Sequence, residues 1–163
     1  MNKIIKNGMI IEDSWTVIDN TDFTSAADLP AGDLILPLQV WKTLATDLQG
    51  RNIGIWLNSD QHPTDLKEIC QNFPIIAINF PVFSDGRGYS YAHVLRAQLN
   101  YKGELRAIGD VLMDQLFYMK RCGFDSYALR QDQKPEIAIR HLQDFNVTYQ
   151  AAIDTTEPLF RSR

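Results

Sequence analysis

The sequence is poor in the residues that hold redox and metal centres. Cys70 and Cys122 are the two cysteines among 163 residues. They stand far apart, and neither belongs to a Cys-x-x-Cys pair. An iron–sulfur cluster takes four thiolates, so this chain alone cannot hold one. No cysteine–histidine pair has ligand spacing, so no metal site is expected. Each cysteine reads as a small buried apolar residue. The nucleotide-binding signatures are also missing. There is no Walker A loop, and Gly86-x-Gly88 lacks the third glycine of a dinucleotide fingerprint. No cofactor is expected. Positive charge is not in excess: the net charge is -4 and the pI about 5.3. That argues against a nucleic-acid partner, which needs a basic footprint. No apolar run approaches the roughly 18 residues of a membrane helix. The acidic pair Glu12-Asp13 comes too early for the apolar core of a signal peptide. The expected location is the cytoplasm, with no membrane partner.

What is present is enough apolar material for one domain, 45% of the residues. Residues 1–20 read as an N-terminal β-hairpin. Lys3 to Lys6 and Met9 to Ile11 flank Asn7-Gly8, the pair that a type I′ turn requires. Trp15 to Ile18 extends the second strand or forms a third. Residues 33–150 then alternate strands and helices. Strands are expected at Asp33–Leu36, Ile53–Leu57, Ile75–Ile78, Glu104–Ile108, Asp125–Leu129 and Val147–Gln150. Helices are expected at Pro37–Leu48, Pro63–Gln71, Ser90–Leu99, Asp110–Arg121 and Pro135–Phe145. That order predicts an α/β fold: a mainly parallel sheet of five or six strands with flanking helices, as an open sheet or an incomplete barrel. Residues 154–163 read as a loosely held tail.

The segment from Phe80 to Asp125 carries the functional signal. Phe80-Pro81-Val82-Phe83-Ser84-Asp85-Gly86-Arg87-Gly88-Tyr89-Ser90 joins the C-terminal end of an apolar strand to a helix, where α/β proteins place ligand sites. Gly86 and Gly88 would let the backbone approach an anion, Ser90 would cap the helix, and Arg87 would donate to an oxyanion. Arg96 and Arg106 add positive charge nearby. Against this stands ordinary turn chemistry, with Arg87 simply paired to Asp85. Gly109-Asp110 forms a second strand-to-helix junction on the same edge. Asp110 reads more readily as an N-cap than as a catalytic group. Asp85, Glu104 and Asp110 are the candidate acids or bases. Asp114, Phe117 and Arg121 share the polar face of the following helix and form a candidate partner surface.

The run Phe80-Pro81-x-Phe83-x-Asp85-Gly86-Arg87-Gly88-Tyr89-Ser90 continues through Leu95-Arg96 to Tyr101-x-Gly103-Glu104-Leu105-Arg106-Ala107-x-Gly109-Asp110-Val111. Asp114-Gln115-Leu116 and Arg121-Cys122-Gly123-Phe124-Asp125 follow. Together these residues resemble an uncharacterised bacterial family, domain of unknown function 934. Its members are labelled probable oxidoreductases involved in sulfite reduction and are typically encoded beside an assimilatory sulfite or nitrite reductase. The resemblance implies an accessory protein of sulfite reduction and cysteine biosynthesis. It would bind the reductase, its electron donor or a small sulfur oxyanion. Two alternatives stay open. One is an enzyme acting on a small anionic substrate with carboxylate acid/base groups and arginine clamps. The other is a structural scaffold, for which a homodimer is one form.

Overall fold

The computed structural model describes residues 2–161. Met1, Ser162 and Arg163, at the ends of the expected hairpin segment and tail, lie outside them. The hairpin forms as its turn demands. Strand β1 (Lys3–Lys6) pairs antiparallel with β2 (Met9–Glu12). Asn7 and Gly8 take φ of 49° and 75°, the left-handed pair of a type I′ turn.

Beyond the hairpin run β3 (Trp15–Val17), β4 (Asp33–Pro37), β5 (Ile53–Leu57), β6 (Ile75–Phe80), β7 (Glu104–Gly109) and β8 (Ser126–Tyr127). These six are parallel neighbours in chain order. Strand β1 then adds antiparallel to β8, giving one sheet of eight in the order β2-β1-β8-β7-β6-β5-β4-β3. The expected sheet of five or six mainly parallel strands is therefore corrected to a larger, mixed sheet. The hairpin joins it at one end, and Trp15–Val17 forms the far edge.

That topology curls the sheet. Its two edge strands, β2 and β3, are joined only by Asp13 and Ser14. Three peptide steps reach at most about 11 Å. The edges meet there, although they do not pair.

Side-chain alternation builds two apolar layers. Ile76, Ile78 and Phe80 of β6 face the helices, together with Leu57, Leu105, Ala107 and Tyr127. Ile75 and Ala77 face the concave side, with Ile35, Ile108, Trp15, Val17 and Trp56. Parallel strands buried on both faces need such continuous apolar runs.

The helices are shorter than their sequence patterns suggest. They are α1 (Leu38–Leu44), α2 (Arg87–His93), α3 (Leu116–Cys122) and α4 (Pro135–Ala138). A π-turn, Val94–Gln98, prolongs α2. The expected helix over residues 63–71 is instead two 3-10 turns. Residues 147–150 form no strand, because no sheet edge lies alongside to take their backbone groups. The tail is tied at its start, where Ile153 N–H donates to the Arg121 carbonyl at 3.1 Å. No helix among the described residues is long and apolar enough to cross a membrane.

Candidate functional site

Strand β6 ends at Phe80, and the chain turns through Pro81–Gly86 into α2. This loop is held from the neighbouring junction. Asp110, just past β7, accepts from the Phe83 N–H at 2.8 Å. Gln115 donates to the Phe83 carbonyl at 3.1 Å. Asp85 N–H closes on the Val82 carbonyl at 3.0 Å. The expected cap role of Asp110 is thereby corrected. The turn that begins α3 starts later, after Leu112, and the Asp110 carboxylate is spent on the β6 loop and on Arg130.

Asp85 and Arg87 form a closed pair. Asp85 Oδ1 accepts from the Arg87 N–H at 3.2 Å and from Nε at 2.9 Å, while Oδ2 accepts from Nη2 at 2.7 Å. The Arg87 hydrogen bonds hold the Asp85 carboxyl well below the usual carboxylate range. Arg87 also reaches Ser59 Oγ at 2.9 Å, beyond the end of β5. The first N–H of α2 thus already has an anion, the chain's own carboxylate. Gly88 serves packing: a Cβ there would lie 2.6 Å from Cζ of Phe80, so α2 sits directly on β6. Gly86 precedes α2 with an ordinary φ of -79°. Ser90 is exposed inside the helix rather than at its cap.

The other arginines are elsewhere. Arg96 donates to the carbonyls of Gly123, Tyr101 and Gly103 and to Asp125 Oδ2, all at 2.8–2.9 Å. It fastens the π-turn to the ends of α3 and β7. Arg106 is 1% exposed, on the concave face. It donates to Glu104 at 2.7–2.8 Å and to both oxygens of Asp13 at 2.9 and 3.1 Å. Lys6 meets Glu104 at 2.5 Å. Burial works against the Glu104 charge, but Arg106, Lys6 and Ser126 outweigh it and the carboxyl titrates low. Glu104 and Asp110 stand six residues apart along one strand line, about 20 Å. The three candidate carboxylates therefore do not converge. The structure brings together Asp85, Arg87 and Asp110 on one edge, and leaves Glu104, Arg96 and Arg106 away from it.

The proposed partner face is partly covered. Phe117 packs on Phe145 with ring centroids 5.0 Å apart. Arg121 donates to the Gln150 carbonyl at 2.5 Å, under the chain's own C-terminal segment. Asp114 alone of the three stays exposed.

Two participants escaped the sequence reading, Ser59 and Arg130. Both follow the C-terminal end of a parallel strand, the same rule that found Asp85 and Asp110. Arg130 donates to Asp110 Oδ1 at 2.6 Å and to Asp132. Arg130 holds the Asp132 carboxyl down at about 2. A cavity of about 930 Å³ opens beside Arg130, with Lys3, Asp13, Trp15 and Asp19 in its wall. None of Asp85, Arg87, Glu104, Arg106 or Asp110 lines it.

Cys122 is half-buried, and burial pushes its thiol up. A thiol in that state is a poor nucleophile. With a thiol-reactive disulfide reagent at pH 7, the folded protein should release colour at least ~10-fold more slowly than the unfolded chain. A burst of one equivalent from folded protein would show an activated thiolate instead.

No curated protein and no solved structure matches the chain. A family model described as "Bacterial protein of unknown function (DUF934)" matches residues 54–160. The match takes in Ser59, the Asp85–Arg87 pair, Asp110, Arg130 and the buried Glu104–Arg106 pair. It covers well over half of the sequence, and the chain belongs to this bacterial family, DUF934.

Proposed function

We propose that this protein is an accessory component of assimilatory sulfite reduction that binds the reductase through the Pro81–Gly86 loop, without a catalytic centre of its own. The observation that carries the reading is the state of that loop. Val82 and Phe83 are 51% and 59% exposed, yet the backbone beneath them is fixed by Asp110 and Gln115. Large apolar side chains on a pre-fixed loop bind a protein at low ordering cost. Tyr118, also exposed, lies one turn beyond Gln115 on α3 and packs on Tyr89 with tilted rings 5.0 Å apart.

The guanidinium groups favour a protein partner over a free sulfur oxyanion. Arg87, Arg96, Arg106 and Arg130 each already hold a carboxylate of this chain. An oxyanion would have to displace one of those carboxylates. The family's association with reductase genes supplies the pathway in this reading.

Co-purification with the assimilatory sulfite reductase haemoprotein tests it. The wild-type chain should form a complex, and Phe83→Asp should weaken it at least ~10-fold, about 1.4 kcal/mol. The unfolding midpoint should stay unchanged, because Phe83 lies largely in solvent. If the reductase is not retained and a deletion strain grows on sulfate as well as on cysteine, the reading fails.

A further inference from the structure

The cavity beside Arg130 arises where two strands part. Strands β1 and β8 pair at Ile5–Tyr127 and Lys6–Ser126 and no further. Beyond those pairs, Asn2–Ile4 and Ala128–Arg130 line a space of about 930 Å³ together with β3. It lies past the C-terminal end of β8 and along β3, on the side of a parallel sheet that holds ligands. Its size falls within the roughly 300–1,000 Å³ of small-molecule sites.

One wall is the line Asp13, Trp15, Val17, Asp19. These are alternate residues, which share one side of an extended chain. The extended line runs past β3, since the Ile18 N–H donates to the Ile35 carbonyl at 2.9 Å. Ile18 packs on the α1 side of the sheet, while Trp15 and Val17 belong to the concave apolar layer. Ala128 of that layer also lines the cavity. The inner part is therefore apolar, with an indole ring in its wall.

The rim is polar, and its charges are unevenly spent. Lys3 is held by Glu136 at 2.9 Å, and Arg130 stands between Asp110 and Asp132. Asp13 accepts from Arg106 and from the Trp15 N–H. Asp19 is the one charged lining residue with no hydrogen bond or ion pair among the described residues. An anion would meet no unpaired cation here and would face this carboxylate. A cation would meet a free carboxylate, a rim with more negative than positive charge, and an indole face, which attracts cations.

We propose that this cavity binds a small organic ammonium ion, with its head on Asp19 and its apolar body against Val17 and Trp15. Along an extended chain Asp19 stands about 7 Å from Val17 and about 13 Å from Trp15. A head and a body several carbons apart would span that wall. The site is separate from the Pro81–Gly86 loop and does not depend on reductase binding.

Titration with phenylpropylamine, followed through the indole N–H signals of isotope-labelled protein, tests the assignment. The Trp15 signal, identified by its loss in Trp15→Phe, should shift saturably with a Kd on the order of 1 mM. Trp41, which packs on Phe73, should not shift. Phenylpropanol and phenylpropionate carry the same body with a neutral or a negative head, and should bind at least ~10-fold more weakly. Asp19 is exposed, so Asp19→Asn should keep the fold. It should weaken the amine at least ~5-fold and leave the alcohol unchanged. Phe83→Asp should bind the amine as the wild type does. No shift of Trp15 at ~10 mM amine would overturn the proposal. So would equal binding of the amine and the alcohol, or an Asp19→Asn protein that binds the amine as tightly as the wild type.

Discussion

Arg106→Met is expected to lose about 3–5 kcal/mol of folding stability, the usual result of stranding buried charge. That is a large part of the ~5–15 kcal/mol that holds a domain together. The side chain is 1% exposed and serves two carboxylates at once, Glu104 along its own strand and Asp13 from the β2–β3 connection. Methionine fills much of the volume but leaves both carboxylates in the concave interior, with Lys6 alone beside Glu104. Arg106→Lys should fare only slightly better, because a single ammonium lacks the guanidinium fork that bridges the two acids. Urea unfolding at pH 7 measures the loss, and a change below ~1 kcal/mol would show that the network is not a structural tie.

The pH dependence gives a second reading of the same network. Glu104 titrates below its ordinary range in the folded chain. Its stabilising contribution is therefore complete above about pH 4–5 and fades as pH falls through the lower, folded value. In Arg106→Met the burial of Glu104 is no longer offset by the guanidinium, so protonation relieves the variant. The gap between wild type and variant should narrow on acidification. A gap that widens would contradict the sign.

Gly109→Ala is the second large effect, about 3 kcal/mol from backbone strain and overpacking together. Gly109 sits at φ of 90°, which L-residues rarely adopt. A Cβ there would run into the Phe80 carbonyl and Asn79 Oδ1. The same carbonyl accepts the Asp110 N–H at 2.7 Å. Forcing the two strand ends apart would therefore release Asp110 from Phe83 as well. Gly109→Ala should weaken reductase binding along with stability, whereas Phe83→Asp should affect binding alone. Equal stability of Gly109→Ala and wild type would mean that the junction yields more easily than its geometry indicates.

The parts of this fold that were legible in the sequence are those fixed within a few residues. Asn7-Gly8 specifies its own turn. The apolar runs Ile53–Leu57 and Ile75–Ile78 announce buried parallel strands. Both lie where expected. The parts that were not legible depend on distant partners. Nothing near Trp15 says that it will line β4 rather than follow β2. Val147 to Tyr149 alternates like a strand, but pairing needs a neighbour, and the sheet offers none. Asp110 had the right type and place for an N-cap. The Phe83 N–H, far along the chain, takes the carboxylate instead. The edge position of Asp85, Arg87 and Asp110 was readable because parallel strands deliver their C-terminal ends to one side. The pairing of Arg87 with Asp85, two residues away, was readable too, whereas the tie of Arg106 to Asp13 was not, since 93 positions separate them and only the curl of the sheet brings them together.

The pairing of β1 with β8 sets an order of events in the cell. Ile5 finds its neighbour in Tyr127, more than a hundred residues later. At about 5–20 residues per second, a ribosome needs roughly 5–20 s to cover a hundred residues. During that interval the hairpin must wait with its apolar side bare, since a two-stranded hairpin has little stability alone. The β1–β2 hairpin is therefore where a chaperone would be needed most, and it locks only once Tyr127 has left the ribosome.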